Sequence, residues 1–69
     1  MSRLKLLGKN IRFYRDKKGY TQNQLAEIVD LSREYLADVE CGLKRISLKK
    51  LFAIADALEV DCSMLITFK

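Results

Sequence analysis

Apolar residues recur at helical spacing in two short stretches near the middle of the chain. The positions that form these two stripes are Leu25, Ala26 and Val29 in the first stretch and Leu36 and Val39 in the second. Only Asp30 and Leu31 separate the first stripe from Ser32, so two helices joined there must cross steeply. Residues 21–42 are therefore predicted to form two amphipathic helices with a tight turn between them.

Residues that favour helix ends lie at the boundaries of both stretches. Thr21 and Gln24 have the spacing of a capping box, in which each side chain bonds a backbone N–H of the first turn. Ser32 can cap the second helix, and Gly42 can end it in the left-handed conformation. The caps agree with the apolar stripes, and together they predict a helix-turn-helix.

The flanking segments contain further apolar stripes. Upstream, a stripe ends at Gly19, a good helix terminator, and comprises Leu4, Leu7, Ile11 and Tyr14. Downstream, Ser47 can cap a helix whose apolar stripe comprises Leu48, Leu51, Phe52, Ala55 and Leu58. Asp61 can cap a last short helix over residues 62–65. The fold is predicted to be all-α, a compact five-helix domain over residues 1–69 with the helix-turn-helix at helices 2 and 3.

The composition restricts the class of protein. With 49% hydrophobic and 32% charged residues, the 69-residue chain is typical of a soluble globular domain near the lower size limit for an independent core. No apolar run approaches the roughly 20 residues that cross a bilayer, and residues 1–5 lead directly into an amphipathic helix. The expected location is the cytoplasm, without membrane contact.

Residues that usually carry metal or catalytic chemistry are scarce. The chain has no histidine, and Cys41 and Cys62 lack partners at zinc-site spacing, so no metal site is expected. Each cysteine has an ordinary packing role, which makes a disulfide the weaker alternative, and a redox role for Cys41 has no support in the sequence. There is no nucleophile beside a base and no glycine-rich phosphate loop. We therefore expect no enzyme, no cofactor and no small-molecule ligand.

Basic residues flank the helix-turn-helix on both sides. The chain carries 13 Lys and Arg against 9 Asp and Glu, a net charge of +4. The flanking basic residues are Arg3, Lys5, Lys9, Arg12, Arg15, Lys17 and Lys18 upstream and Lys44, Arg45, Lys49 and Lys50 downstream. Because basic residues release counterions when they contact phosphates, this distribution favours a salt-sensitive grip on duplex DNA. A solvated helix face is the better interpretation for Lys17 and Lys18, whereas DNA contact is favoured for Lys44 and Arg45.

Most of the chain resembles one family of DNA-binding proteins. Three sequences within residues 7–66 are similar to the lambda-repressor-like (Cro- and repressor-type, XRE) helix-turn-helix family: LGKNIRFYR, KKGYTQNQLAEIVDLS and ISLKKLFAIADALEV. Within this family, REYLADVECGLKRISL is most similar to the small controller proteins of restriction-modification systems. Asp30 departs from the family, which commonly has a left-handed glycine in this turn, but aspartate tolerates that conformation better than most residues. Cys41 replaces a residue that is often polar or basic, which puts one phosphate contact in doubt.

The resemblance implies DNA contacts at both motif helices. Gln22 matches the position that hydrogen-bonds a phosphate at the start of the first motif helix. Ser32, Arg33 and Glu34 begin the helix that such proteins place in the major groove. Arg33 is the leading candidate for base recognition, because its planar fork can bond guanine O6 and N7 together, with a phosphate contact as its alternative.

Several roles implied by the resemblance leave two interpretations open. Glu34 and Asp38 could accept a hydrogen bond from a cytosine amino group or pair with a neighbouring arginine, or Glu34 could act only as a favourable charge in the first helical turn. Tyr35 matches a position that can approach DNA in controller proteins, yet its ring could equally cover the core. Arg15 and Glu40 match a partly buried ion pair, with which the family ties the first helix to the end of the third.

A single recognition helix cannot supply enough specificity. It contacts about four or five base pairs, and so short a sequence recurs many times among roughly 10⁶ or more competing genomic sites. A two-fold dimer instead recognises a near-palindromic operator with half-sites about 34 Å apart. Residues 58–68 are more apolar than a small helix needs and form the expected dimerisation surface, with closure of the monomer's own core as the alternative. The interface candidates are Val60, Met64, Ile66 and Phe68.

The predicted function is that of a sequence-specific, DNA-binding transcriptional regulator acting as a homodimer. A restriction-modification controller or a similar small autoregulator is the leading interpretation. The alternatives are a DNA-binding antitoxin, a phage-type repressor and a protein-interaction module on the same fold. Double-stranded DNA and a second copy of the chain are the expected partners, with RNA polymerase as a further candidate.

Overall fold

Five helices follow one another along residues 2–68, the part of the chain that the computed structural model describes. They are α1 (Arg3–Lys18), α2 (Gln22–Ile28), α3 (Arg33–Glu40), α4 (Leu48–Leu58) and α5 (Cys62–Leu65). No β-strand occurs in this part of the chain, and the predicted all-α fold with five helices is confirmed. Within the same residues, no helix combines the length and apolar character needed to cross a membrane.

Side-chain caps set the start of the first four helices. Each begins at a hydroxyl that accepts a hydrogen bond from a backbone N–H of the first turn, and the four capping residues are Ser2, Thr21, Ser32 and Ser47. The predicted capping box is confirmed, since Gln24 Oε1 accepts from the Thr21 backbone N–H at 2.8 Å. Asp61 begins α5 as predicted, but its side chain makes no capping hydrogen bond. The fully buried Leu65 anchors this single turn instead.

All five helices contribute to one hydrophobic core. Its buried residues are Leu7, Ile11, Leu25, Ala26, Val29, Leu36, Val39, Leu51, Ile54, Ala55, Leu58 and Leu65. The stripes predicted for α2 and α3 are confirmed, whereas the stripe predicted for α4 is partly wrong. Ile54 is fully buried, while Leu48 and Phe52 are 68% and 52% exposed. Phe52 lies about 100° around the helix from Leu51, beyond the face that the neighbouring helices cover.

Two glycines allow α3 to lie close against α1. A Cβ at Gly8 would lie 2.3 Å from the carbonyl oxygen of Glu40 and 2.6 Å from that of Val39, so no side chain fits there. Gly42 follows α3 with a φ of +77°, as predicted, and its Cβ would lie 2.7 Å from the Cα of Lys5. The C-terminal end of α3 is therefore held directly against the backbone of α1.

Candidate nucleic-acid interface

The turn between α2 and α3 is held by a lysine from α4. Lys50 Nζ donates to the carbonyl oxygens of Val29 and Asp30 at 2.7 and 3.2 Å, where the end of α2 favours a positive charge. Asp30 has a φ of +58°, the left-handed conformation that the turn requires. The sequence grouped Lys50 with the flanking basic residues, but its ammonium is engaged by the turn. These two bonds join residues 21 and 20 positions apart, and no sequence pattern indicates them.

The N-terminal end of α3 is open to solvent. Ser32, Arg33 and Glu34 are exposed, and Asp38, one turn further along, is half-buried. The Ser32 hydroxyl is occupied by its cap bond to the backbone N–H of Tyr35 at 3.0 Å. Within residues 2–68 Arg33 makes no ion pair, so its guanidinium is available to a ligand. The structure thus brings three of the predicted contact residues together at one helix end.

Tyr35 connects α3 to the loop that follows it. Its ring is half-buried and packs against the core, and its hydroxyl donates a hydrogen bond to the carbonyl oxygen of Arg45. This bond keeps the segment containing Lys44 and Arg45 beside α3. Both basic side chains are exposed, and neither forms an ion pair within the described part of the chain. A basic loop therefore lies next to the helix that carries Arg33.

A buried ion pair joins α1 to the end of α3 and extends to α2. Arg15 and Glu40 are 7% and 8% exposed, and the guanidinium donates from Nε to Oε2 at 2.7 Å and from Nη2 to Oε1 at 3.1 Å. The hydrogen bond to Glu40 raises the pKa of Arg15. Arg15 Nη1 also donates to the Tyr20 carbonyl at 2.8 Å, and Gln22 Nε2 donates to Glu40 Oε1 at 3.0 Å. The sequence did not indicate that Gln22 joins this pair.

Local partners occupy the basic residues near the end of α1. Lys18 forms an ion pair with Glu59, and Lys17 Nζ lies 5.2 Å from the centroid of the Phe13 ring. The hydrogen bond between Lys18 and Glu59 raises the pKa of Lys18 and lowers the pKa of Glu59. These contacts agree with the interpretation of Lys17 and Lys18 as part of a solvated helix face.

The candidate dimerisation residues differ in exposure. Met64 and Ile66 are 41% and 50% exposed, whereas Val60 and Phe68 are half-buried and pack against the core. Core closure therefore applies to Val60 and Phe68, whereas a dimer contact by Met64 and Ile66 stays a prediction. The exposed pair is available to a partner, and the half-buried pair closes the monomer.

A groove of about 490 Å³ separates this segment from α1. Its lining consists of Leu6, Lys9, Asn10, Tyr14, Met64, Thr67 and Phe68. Asn10 fixes the segment by donating from Nδ2 to the carbonyl oxygens of Leu65 and Thr67 at 2.8 and 3.1 Å. Sequence reasoning missed Leu6 and Asn10 because these residues lie outside the core stripe of α1 and meet the C-terminal segment only in the folded chain.

These features together define a helix-turn-helix DNA-binding domain. Two short helices meet at a turn that is fixed by Lys50, and the second helix begins with exposed Arg33. An exposed basic loop containing Lys44 and Arg45 lies beside it.

Comparison with known proteins identifies the family. A family model described as helix-turn-helix matches residues 11–65. The chain is 37% identical over 62 residues to control protein C.SmaI of Serratia marcescens, covering 90% of the chain and 74% of that protein. It is 42% identical over 60 residues to the immunity repressor of Bacillus phage phi105, covering 87% of the chain and 42% of the repressor.

A solved structure shares the fold over nearly its whole length. The restriction-modification controller protein C.AhdI of Aeromonas hydrophila matches with a TM-score of 0.86 and 34% identity, covering 90% of this chain and 94% of C.AhdI. The chain therefore belongs to the XRE-type helix-turn-helix family of DNA-binding transcriptional regulators, and the family predicted from the sequence is confirmed.

Proposed function

We propose that the protein is a sequence-specific transcriptional regulator that binds a near-palindromic operator as a homodimer in the cytoplasm. The observation that carries this proposal is the exposed start of α3, where Arg33 has no ion-pair partner among residues 2–68. Tyr35 of the same helix holds the basic loop beside it through its hydrogen bond to Arg45. An unpaired arginine at an exposed helix start fits a major groove, and a basic loop beside it fits the phosphates at the groove edge.

The proposed DNA contacts divide into base recognition and backbone positioning. Arg33 reads a guanine, and Glu34 and Asp38 are candidates for contact with a cytosine amino group. The Gln22 amide and the side chains of Lys44 and Arg45 bind phosphates, together with the remaining candidates Ser32 and Tyr35 at the edge of the helix. Backbone contacts fix the register of the helix on DNA, while base contacts select the sequence.

Dimerisation through the C-terminal segment would supply the second half-site. Met64 and Ile66 are exposed apolar residues of the same C-terminal segment in which Val60 and Phe68 pack against the core. The groove beside Met64 and Phe68 offers a cavity that apolar side chains of a second copy could fill. A two-fold axis at this surface would present two recognition helices to one face of the duplex.

Among the regulators of this family, we favour a restriction-modification controller. The similarity to C.SmaI and to C.AhdI extends over 90% of this chain in each case, at 37% and 34% identity. The phage-type repressor is the second candidate, because the identity to the phi105 immunity repressor is 42%, although the chain spans only 42% of that protein. RNA polymerase is a further proposed partner of such a controller.

Selection of bound duplexes from a random pool tests the proposal. We expect enrichment of an inverted repeat with half-sites about one helical turn apart. The same selection with Arg33→Ala should lose the preference at one guanine in each half-site and retain the repeat elsewhere. Absence of any enriched inverted repeat, at a salt concentration that permits binding, would contradict a dimeric sequence-specific reader.

A further inference from the structure

The carboxylate of Glu40 receives three hydrogen bonds at the junction of α1, α2 and α3. Arg15 donates two of them, at 2.7 Å to Oε2 and at 3.1 Å to Oε1. Gln22 Nε2 donates the third, at 3.0 Å to Oε1. The guanidinium of Arg15 already neutralises the charge of Glu40, so the bond from Gln22 serves another purpose.

That purpose follows from the polarity of an amide side chain. One end of the glutamine amide is an NH₂ group that donates, and the other is a carbonyl oxygen that accepts. A carboxylate only accepts, so it can face the NH₂ end and repels the carbonyl end. Glu40 therefore selects one of the two amide orientations of Gln22, and Arg15 holds Glu40 in the position from which it does so.

We infer that Glu40 is the positioning residue for the phosphate contact of Gln22, an inference that rests on the proposed function. Nε2 carries two hydrogens, and Glu40 accepts one, so the second remains for a phosphate oxygen. The opposite orientation would turn the carbonyl oxygen toward the phosphate, where two acceptors repel each other. Because Arg15 and Glu40 form a neutral pair, the carboxylate adds little repulsion of its own.

The test removes the acceptor while keeping the fold. Arg15→Met together with Glu40→Met replaces the buried ion pair by apolar side chains, a change that folded proteins often tolerate. Binding to a random-sequence duplex of about 20 base pairs, long enough for two half-sites, is measured with and without Gln22→Ala. We expect Gln22→Ala to weaken binding about tenfold or more in the wild-type background, as for a hydrogen bond to a charged group, and by a clearly smaller factor in the double variant, where the amide must lose its conformational freedom on binding.

A matched control separates this effect from distortion of the interface. Lys44→Ala, which removes a proposed phosphate contact in the loop, should weaken binding by the same factor in both backgrounds. An equal loss from Gln22→Ala in both backgrounds would overturn the positioning role of Glu40. No loss from Gln22→Ala in the wild-type background would overturn the phosphate contact itself, and therefore the part of the proposed function on which the inference rests.

A second measurement uses the wild-type protein, in case the double variant does not fold. The two Nε2 protons of Gln22 should give well-separated NMR signals, one of them protected from exchange by Glu40. Addition of the random-sequence duplex should shift the other signal. Gln24 is the internal control, because its carbonyl oxygen, and not its NH₂ group, is hydrogen-bonded. Gln22 amide protons that exchange as fast as those of Gln24 would overturn the inference.

Discussion

The two ends of α3 differ in whether an arginine there has a carboxylate partner. At its C-terminal end, Glu40 is buried and paired with Arg15, and each nitrogen of that guanidinium donates a hydrogen bond. At its N-terminal end, Arg33 is exposed and has no ion-pair partner among the described residues. A helix that presents side chains to a ligand must be held in place by other contacts. In α3 the buried C-terminal end, here called the closed end, makes those contacts, and the exposed N-terminal end is the open end. Mutations at the two ends should therefore separate stability from DNA binding.

The largest expected effect lies at the closed end. Glu40→Ala leaves the buried guanidinium of Arg15 without its partner and should destabilise the protein by about 3–5 kcal/mol, much of the total stability of a domain this small. Arg15→Ala should cost a similar amount. Urea denaturation of both single variants and the double variant would give their coupling energy, and the double variant should lose far less than the sum. Additive losses would show that the two residues do not act as a pair.

The next effect lies at the open end. Arg33→Ala should change the free energy of unfolding by no more than about 0.5 kcal/mol, because an exposed unpaired side chain contributes little to folding. It should weaken operator binding by roughly 1–3 kcal/mol per half-site and relax the preference at one position. Fluorescence anisotropy with the selected operator and with a duplex changed at that base pair measures the loss of affinity and the loss of base preference. Equal losses on the two duplexes would make Arg33 a phosphate contact.

A smaller effect is expected in the basic loop. Lys44→Ala should weaken binding to all sequences alike and reduce the slope of log affinity against log salt concentration by about 1 per protomer, since one phosphate contact is lost. Lys17→Ala is the matched control, because Lys17 lies on the face of α1 that carries Phe13. If both variants changed the salt slope equally, the loop would have no special role in DNA binding.

The sequence predicted local structure better than it predicted contacts between distant residues. The caps at Thr21 and Ser32 and the left-handed Asp30 depend on neighbouring residues, and all are observed. The bonds from Lys50 to the turn and from Gln22 to Glu40 join residues 18 to 21 positions apart. Those bonds depend on how helices cross, and neither periodicity nor composition contains that information.

The sequence also did not predict which apolar residues of α4 and α5 are exposed. A helical period places Phe52 near the apolar face, but which neighbouring helix reaches that face depends on the packing of the whole domain. For the same reason the sequence could name Val60, Met64, Ile66 and Phe68 as apolar without assigning them to the core or to a partner. The assignment of Met64 and Ile66 to a dimer remains a proposal.

The smallest expected effect belongs to the exposed ion pair between Lys18 and Glu59, which lies outside both ends of α3. The folded-state pKa of Glu59 is lowered, so its contribution to stability is present above the unfolded pKa and is lost as the pH falls through the folded pKa. The pKa of Lys18 is raised, so its contribution is present below the unfolded pKa and is lost as the pH rises through the folded pKa. Both contributions are therefore complete near neutral pH.

Thermal denaturation of Lys18→Met from acid to alkaline pH would measure the contribution of the ion pair between Lys18 and Glu59. We expect a slight lowering of Tm near neutral pH and low salt, which disappears in acid and at high salt because exposed charges are screened. Lys49→Met is the control, since Lys49 is exposed and makes no ion pair within residues 2–68. A loss for Lys18→Met as large as that for Glu40→Ala would contradict the contrast between buried and exposed pairs, because exposure to water should make the first pair far weaker than the second.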